Sequence, residues 1–209
     1  MLNPYLKSFI ETEILPLYAQ FDKAHQEDHA WQVIQQSINL VPYYEVDINM
    51  VYAIAAYHDV GLCKDRKTHH VISGQIVRND QRLQKWFSSE QIETMAQAVE
   101  DHRASSDHEP RSIYGKIVAE ADRLIDAETI IRRTIQYGLK HYPEMNRDEH
   151  IQRAIEHLNE KYAEGGYLKL WIPESPNAER LKQLQQLLKD TPKVQSLVER
   201  IYDTLTTEH

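Results

Sequence analysis

Cysteine is nearly missing from this chain: Cys63 stands alone among 209 residues. That excludes an internal disulfide framework and a cysteine-rich zinc site. Glycine is scarce too, with six in all. The apolar residues recur at helical rather than alternating spacing, so the sequence reads as all-α. No long apolar run is present. The opening stretch MLNPYLKSFIETEILPLY carries Glu11 and Glu13 inside its apolar pattern, which marks an amphipathic helix and neither a signal peptide nor a membrane span. Positive charge is not in excess. The net charge of −8 speaks against non-specific nucleic-acid binding, and no duplex is expected as a partner. A single thiol and the lack of a targeting segment fit a reducing compartment, and the expectation is a cytoplasmic protein with no membrane partner.

What is present describes a globular domain. The apolar fraction of 41% and the charged fraction of 27% are ordinary, and the length suffices to bury a substantial core without a structural metal. The acidity is uneven. Residues 61–140 hold 13 Lys/Arg against 12 Asp/Glu, so a near-neutral middle with clustered arginines could hold a small anion; solvated helix faces explain most of these charges equally well. No repeat, low-complexity run or Gly/Ser linker divides the chain, which therefore reads as one domain over 1–209, with a core at about 20–135 and a helical C-terminal extension at about 145–209.

Periodicity and punctuation place the helices. Residues 3–21 read as the first. The second covers about 27–41, with Ala30, Ile34, Ile38 and Val41 on one face and a stop before Pro42. The third starts at an Asp47 N-cap, follows Ile48, Val51, Ala55 and His58, and stops at Gly61. A fourth runs from near His70 to about Phe87. Ser88 and Gln91 form a capping-box pattern opening the next, with Ile92, Met95, Val99 and His102 inward. One long helix then spans about 112–138, with Ile113, Ile117, Ala121, Leu124, Ile131 and Ile135 as its stripe. Helices at about 147–163 and 177–207 follow, separated by Gly165-Gly166 and Pro173/Pro176; they carry no recognisable chemistry.

Eleven histidines are many for this length, and their placement matters more than their number. His58 and Asp59 end a buried helix, where an unpaired carboxylate is costly and needs a cation, donors or a metal. His29 lies one turn before Val33 on the inner side of its helix. Asp122 lies between Val118 and Ile125 near an apolar face; His102 ends its own apolar stripe, and His70 opens a helix. Any one such histidine is ordinarily a satisfied core or surface residue. Several inward His and Asp on separate helices instead suit a divalent ion: Mn, Fe, Co, Ni, Zn or, less well, Mg.

The series His29, His58-Asp59, Asp122 resembles the H…HD…D signature of HD-domain metal-dependent phosphohydrolases, and the surrounding FDKAHQEDHAWQVI, AIAAYHDVGL, HHVISGQIV, AVEDHRASS and KIVAEADRL fit it. The resemblance covers about residues 20–135. It implies a bundle of at least five core helices, extended here by C-terminal helices, that grips a metal through His29, His58, Asp59 and Asp122. It also implies one or two ions per chain. A second would be held by His70, from the H-x-x-x-G element, and His102, with Asp59 as the bridging carboxylate. The resemblance further implies hydrolysis of a phosphate ester, a nucleotide or related phosphorylated small molecule, by metal-activated water, whose pKa such an ion brings toward about 7. Whether a monoester or a diester is cleaved is open, as is the oligomeric state.

The departures bear on phosphate contact. Where many members read HDxGK, this chain has Leu62, with Lys64 and Arg66 following. Leu62-Cys63 also replaces the Glu-Asp of HDxxED guanosine-polyphosphate hydrolases, and no GYP element of cyclic-dinucleotide phosphodiesterases occurs. Arg66 and Arg103 are therefore the catalytic and substrate-binding candidates beside Asp59, together with Lys64. Lys67, Arg111 and Lys116 form a second rank. Arg123, next after Asp122, points about 100° away on a helix and suits a salt bridge. His25 could orient His29, and Ser105 or Ser106 could cap a helix or touch phosphate. Two other classes stay open: an HD fold that binds a ligand or signals without turnover, and a plain bundle whose His and Asp pair with arginines.

Overall fold

A computed structural model of the chain describes residues 1–21, 27–65, 67–106 and 108–207. These are all-helical, with no strand among the described residues, and no helix is long and apolar enough to cross a membrane. The chain forms two compact units, one of Met1–Arg123 with Trp171–Ser175 and one of Leu124–Leu170 with Pro176–His209. The division falls at 123/124, earlier than the core-to-extension boundary expected between about 135 and 145.

In the first unit, α1 (Pro4–Phe9) starts on Asn3, whose side chain accepts from the Tyr5 and Leu6 amides. The single helix expected over 3–21 does not persist. A π-helical turn at Ile10–Ile14 passes into a 3₁₀ stretch at Leu15–Gln20, because Pro16 has no N–H to continue the ladder. The altered winding still buries Ile10, Ile14, Leu15 and Tyr18. The next helix, α2 (Glu27–Leu40), buries His29, Ala30, Val33, Ile34 and Ser37; a short 3₁₀ turn around Pro42 follows.

The Asp47 cap of α3 (Ile48–Tyr57) is present, its carboxylate accepting from the Asn49 amide at 2.8 Å. Every residue from Met50 to Tyr57 is buried, as an all-round apolar sequence requires. Gly61 does not end this helix through a left-handed cap: it lies in a 3₁₀ turn, and Gly165 has the one positive φ among the described residues. Its role is close approach, since a Cβ there would sit 2.1 Å from the His69 carbonyl oxygen and 2.7 Å from the Ser73 nitrogen.

The fourth helix, α4 (His69–Asn79), stops eight residues before the expected end at Phe87. Asp80 breaks it by capping a 3₁₀ turn at Gln81–Lys85, accepting from the Arg82 amide and guanidinium and from the Tyr57 hydroxyl. The capping box of Ser88 and Gln91 opens α5 (Ser89–Glu100) as expected, with Ile92, Met95 and Val99 buried. The long helix expected over 112–138 is two, α6 (Ile113–Asp122) and α7 (Ala127–His141). Asp126 accepts from the Thr129 amide at 2.8 Å and so begins a new helix. The break leaves Asp122 at a helix end. The returning segment at Trp171–Ser175 is clamped to α6 by Glu120, whose buried carboxylate accepts from the Trp171 and Ile172 amides at 2.7 and 3.3 Å.

The second unit holds α7, α8 (Arg147–Tyr162), α9 (Asn177–Lys189) and α10 (Thr191–Thr207) around Ile131, Ile135, Leu158, Leu184 and Val198. The helix expected over 177–207 breaks at Asp190, ahead of Pro192.

Candidate metal centre

Helix ends build the site. His29 is in the first turn of α2, His58 and Asp59 directly follow α3, and Asp122 is the last residue of α6. His29, His58 and Asp59 are almost fully buried, and the Asp122 side chain retains 23% of its exposure. The Nε2 atoms of His29 and His58 lie 3.3 Å apart. Asp59 Oδ2 is 3.4 Å from His58 Nε2 and 3.8 Å from His29 Nε2. Asp122 Oδ1 is 3.1 Å from His29 Nε2 and 3.8 Å from His58 Nε2. The structure thus brings together the four residues first singled out.

A second group shares Asp59. Its other oxygen, Oδ1, is 3.2 Å from His69 Nε2 and 3.3 Å from His102 Nε2, and those two nitrogens are 3.3 Å apart. His102 is placed as expected. The expected partner, His70, is not: the ligand atoms that converge belong to Asp59, His69 and His102. Helix α4 starts at His69, and neighbours on a helix point about 100° apart, so only one member of the pair can face Asp59. His70 stacks edge-on against His69 with its Nδ1 buried. Burial, aided by Arg103, pushes its imidazolium down to about 4. His69 was missed because the H-x-x-x-G spacing selects the second histidine of the pair, although both precede the same glycine.

The ring orientations are set by backbone carbonyls. His58 Nδ1 lies 2.7 Å from the Ala55 carbonyl and His102 Nδ1 2.6 Å from that of Val99. Each imidazole follows the end of a helix and folds back on a carbonyl that the ladder leaves available. Nδ1 must carry the proton to donate there, so each neutral ring turns an Nε2 lone pair inward. When both rings are neutral those lone pairs converge with both oxygens of Asp59, an arrangement of acceptors that suits a cation, whether a metal ion or, at His58, a proton. Ligand atoms held at about 2.0–2.2 Å by one ion lie about 2.8–3.6 Å from one another in octahedral or tetrahedral geometry. The triangle of Asp59 Oδ1, His69 and His102 fits throughout, and that of His29, His58 and Asp59 fits with one longer edge, the 3.8 Å between His29 and Asp59.

The acid–base balance of these side chains is consistent with this. Burial pushes the His58 imidazolium down, but the carboxylates of Asp59 and Asp122 outweigh it and raise it to about 9. Burial likewise works to raise Asp59 and Asp122, and the facing imidazoles drive both well below the usual carboxylate range. The residues form two groups that could each hold a metal ion, joined by one carboxylate.

Of the cations proposed for phosphate, Arg66 lies outside the described residues, as does His25. Lys64 and Lys67 are exposed. Arg103 directly follows His102 and donates from Nη1 to the Lys67 carbonyl at 2.7 Å, which ties it to the loop before His69. Arg111 is engaged by Asp101 and Glu100, and Lys116 by Glu109. Arg123 is buried and donates to the Ala119 and His102 carbonyls. Ser112, not Ser105 or Ser106, caps α6, while Ser106 meets His108.

Residues 27–127 match the family model described as HD domain. Neither a curated protein nor a solved structure matches the chain.

Proposed function

Because the chain belongs to the HD-domain superfamily through residues 27–127, we propose that it is a metal-dependent phosphohydrolase of phosphorylated small molecules, nucleotides among them. The observation that carries this reading is the sharing of Asp59: Oδ2 faces His29 and His58, Oδ1 faces His69 and His102. His29, His58, Asp59 and Asp122 would hold one ion, and Asp59, His69 and His102 the other. Ions bound there supply Lewis acidity, polarising a phosphoryl oxygen and making water a competent nucleophile near neutral pH.

The chain's own residues supply orientation. The Ala55 and Val99 carbonyls hold the two imidazoles in the tautomer that leaves Nε2 available. Arg103, held by the Lys67 carbonyl and next in sequence to His102, is proposed to neutralise a phosphoryl group. Arg66 and Lys64 are proposed beside it on sequence order. A charge-assisted hydrogen bond of this kind is worth about 1.5–3 kcal/mol, so Arg103→Gln is expected to lower kcat/KM by about ten- to hundredfold with metal content unchanged.

The test is metal analysis of protein purified without chelator, then a panel of phosphate esters assayed with Mn, Co, Ni, Zn and Mg. Hydrolysis lost in Asp59→Ala together with the metal is the expected result. Absence of any divalent-metal affinity by calorimetry on the apo protein overturns the reading. Metal uptake without turnover on any ester would make the chain a ligand-binding HD module.

A further inference from the structure

The end of α3 is held by a residue 41 positions before Asp59. A continued helix would pair the Asp59 amide with the Ala55 carbonyl four residues earlier, but the helix ends at Tyr57 and Ala55 accepts from His58 Nδ1 instead. The Asp59 amide donates to the Tyr18 hydroxyl oxygen at 3.2 Å, and that hydroxyl donates to the Ala56 carbonyl at 3.0 Å. Tyr18 is fully buried. A phenol is protonated at neutral pH, so the hydroxyl can accept from the one group and donate to the other. Asp59 itself has left the helix, at φ −111° and ψ 6°.

We propose that Tyr18 is a positioning residue of the metal centre: its hydroxyl, inserted between the Ala56 carbonyl and the Asp59 amide, keeps the end of α3 open so that Asp59 turns one oxygen to each group. Without the hydroxyl the Asp59 amide would close on the Ala55 or the freed Ala56 carbonyl, tightening the helix end on which His58 Nδ1 is anchored. Both shared ligands would then lose their orientation. The phenol never touches substrate or ion; it acts through the backbone of the HD pair. The proposal rests on the metal reading above.

Tyr18→Phe removes the oxygen and keeps the ring. Tyr114→Phe is the matched control, because its hydroxyl accepts the Asp47 amide at 2.9 Å at the opposite end of the same helix. Calorimetric titration of the apo proteins with Mn and Co should show affinity reduced about ten- to hundredfold in Tyr18→Phe, the usual range for the loss of a group that orients a ligand. Tyr114→Phe should bind as the wild type does, and the bound-Co absorption spectrum should change in Tyr18→Phe alone. Wild-type affinity and spectrum in a folded Tyr18→Phe overturn the proposal. A second measurement uses the metal-free wild type, and so does not depend on the variant folding or on metal uptake. The Tyr18 hydroxyl proton should give a solvent-protected NMR resonance, and the Asp59 amide proton should lie close to the Tyr18 ring; absence of both also overturns it. If the wild type takes up no ion, the metal reading fails, and the NMR result still decides whether Tyr18 fastens the helix end.

Discussion

At the scale of single residues, His58 governs how an ion enters. The bare imidazole keeps a proton to about pH 9 because two carboxylates face it, whereas an ion needs the lone pair that this proton occupies. Metal uptake at pH 7 should therefore release about one proton, which calorimetry in buffers of different ionisation enthalpy would detect. Apparent affinity should rise about tenfold per pH unit from 7 to 9 and then level; a flat profile over that range would show that no proton is held there. In the metal-free protein the same group has a pKa raised above its unfolded value of about 6.5. Its contribution to stability is full below about 6.5 and is lost as pH rises through about 9. The two neighbouring histidines separate as well. His69→Ala should reduce two bound ions to one by elemental analysis, whereas His70→Ala should keep both, since His69 alone of the pair reaches Asp59. The reverse pattern would mean that α4 is turned by one residue.

At the scale of elements, the second triad depends on how closely α4 lies to the turn after α3. A methyl group on Gly61 would meet the His69 and Ser73 backbone, which cannot give as a flexible side chain would. Gly61→Ala should cost about 1–3 kcal/mol and weaken the ion held through His69 more than the one held through His29. Ser88→Ala is the contrasting change. It removes the N-cap of α5, which accepts the Gln91 amide at 3.2 Å, and should cost about 1 kcal/mol with both metal affinities unchanged. Denaturant unfolding beside metal titration separates the two effects. Equal metal affinities in Gly61→Ala would show that α4 can move without carrying His69 out of reach.

At the scale of the whole molecule, the first unit contains every residue of the candidate centre and the second has its own apolar core. An ion at one thousand times its Kd adds about 4 kcal/mol to the folded form that binds it. Hydrogen exchange with and without metal should therefore show added protection in α2, α3 and α5, with little change in α8, α9 and α10. Equal protection throughout would mean that both units open as one.

The sequence by itself determined the helical class, the capping residues Asp47 and Ser88, and which His and Asp residues form the first candidate group, because those depend on local periodicity, local hydrogen bonding and a few residue types in a recognisable order. Breaks at Pro16, Asp80 and Asp126 were harder to read. Proline and aspartate are tolerated near helix ends as well as at interruptions, and the apolar stripe runs on across each one. The tertiary structure alone decided the rest. Which of His69 and His70 faces Asp59 depends on where α4 begins and on how its first turn lies against Gly61. Tyr18 reaches the HD pair only because the irregular turns after α1 bury its ring beneath the end of α3. Neither contact leaves a periodic trace in the chain, since each joins residues that packing, and not spacing, brings together.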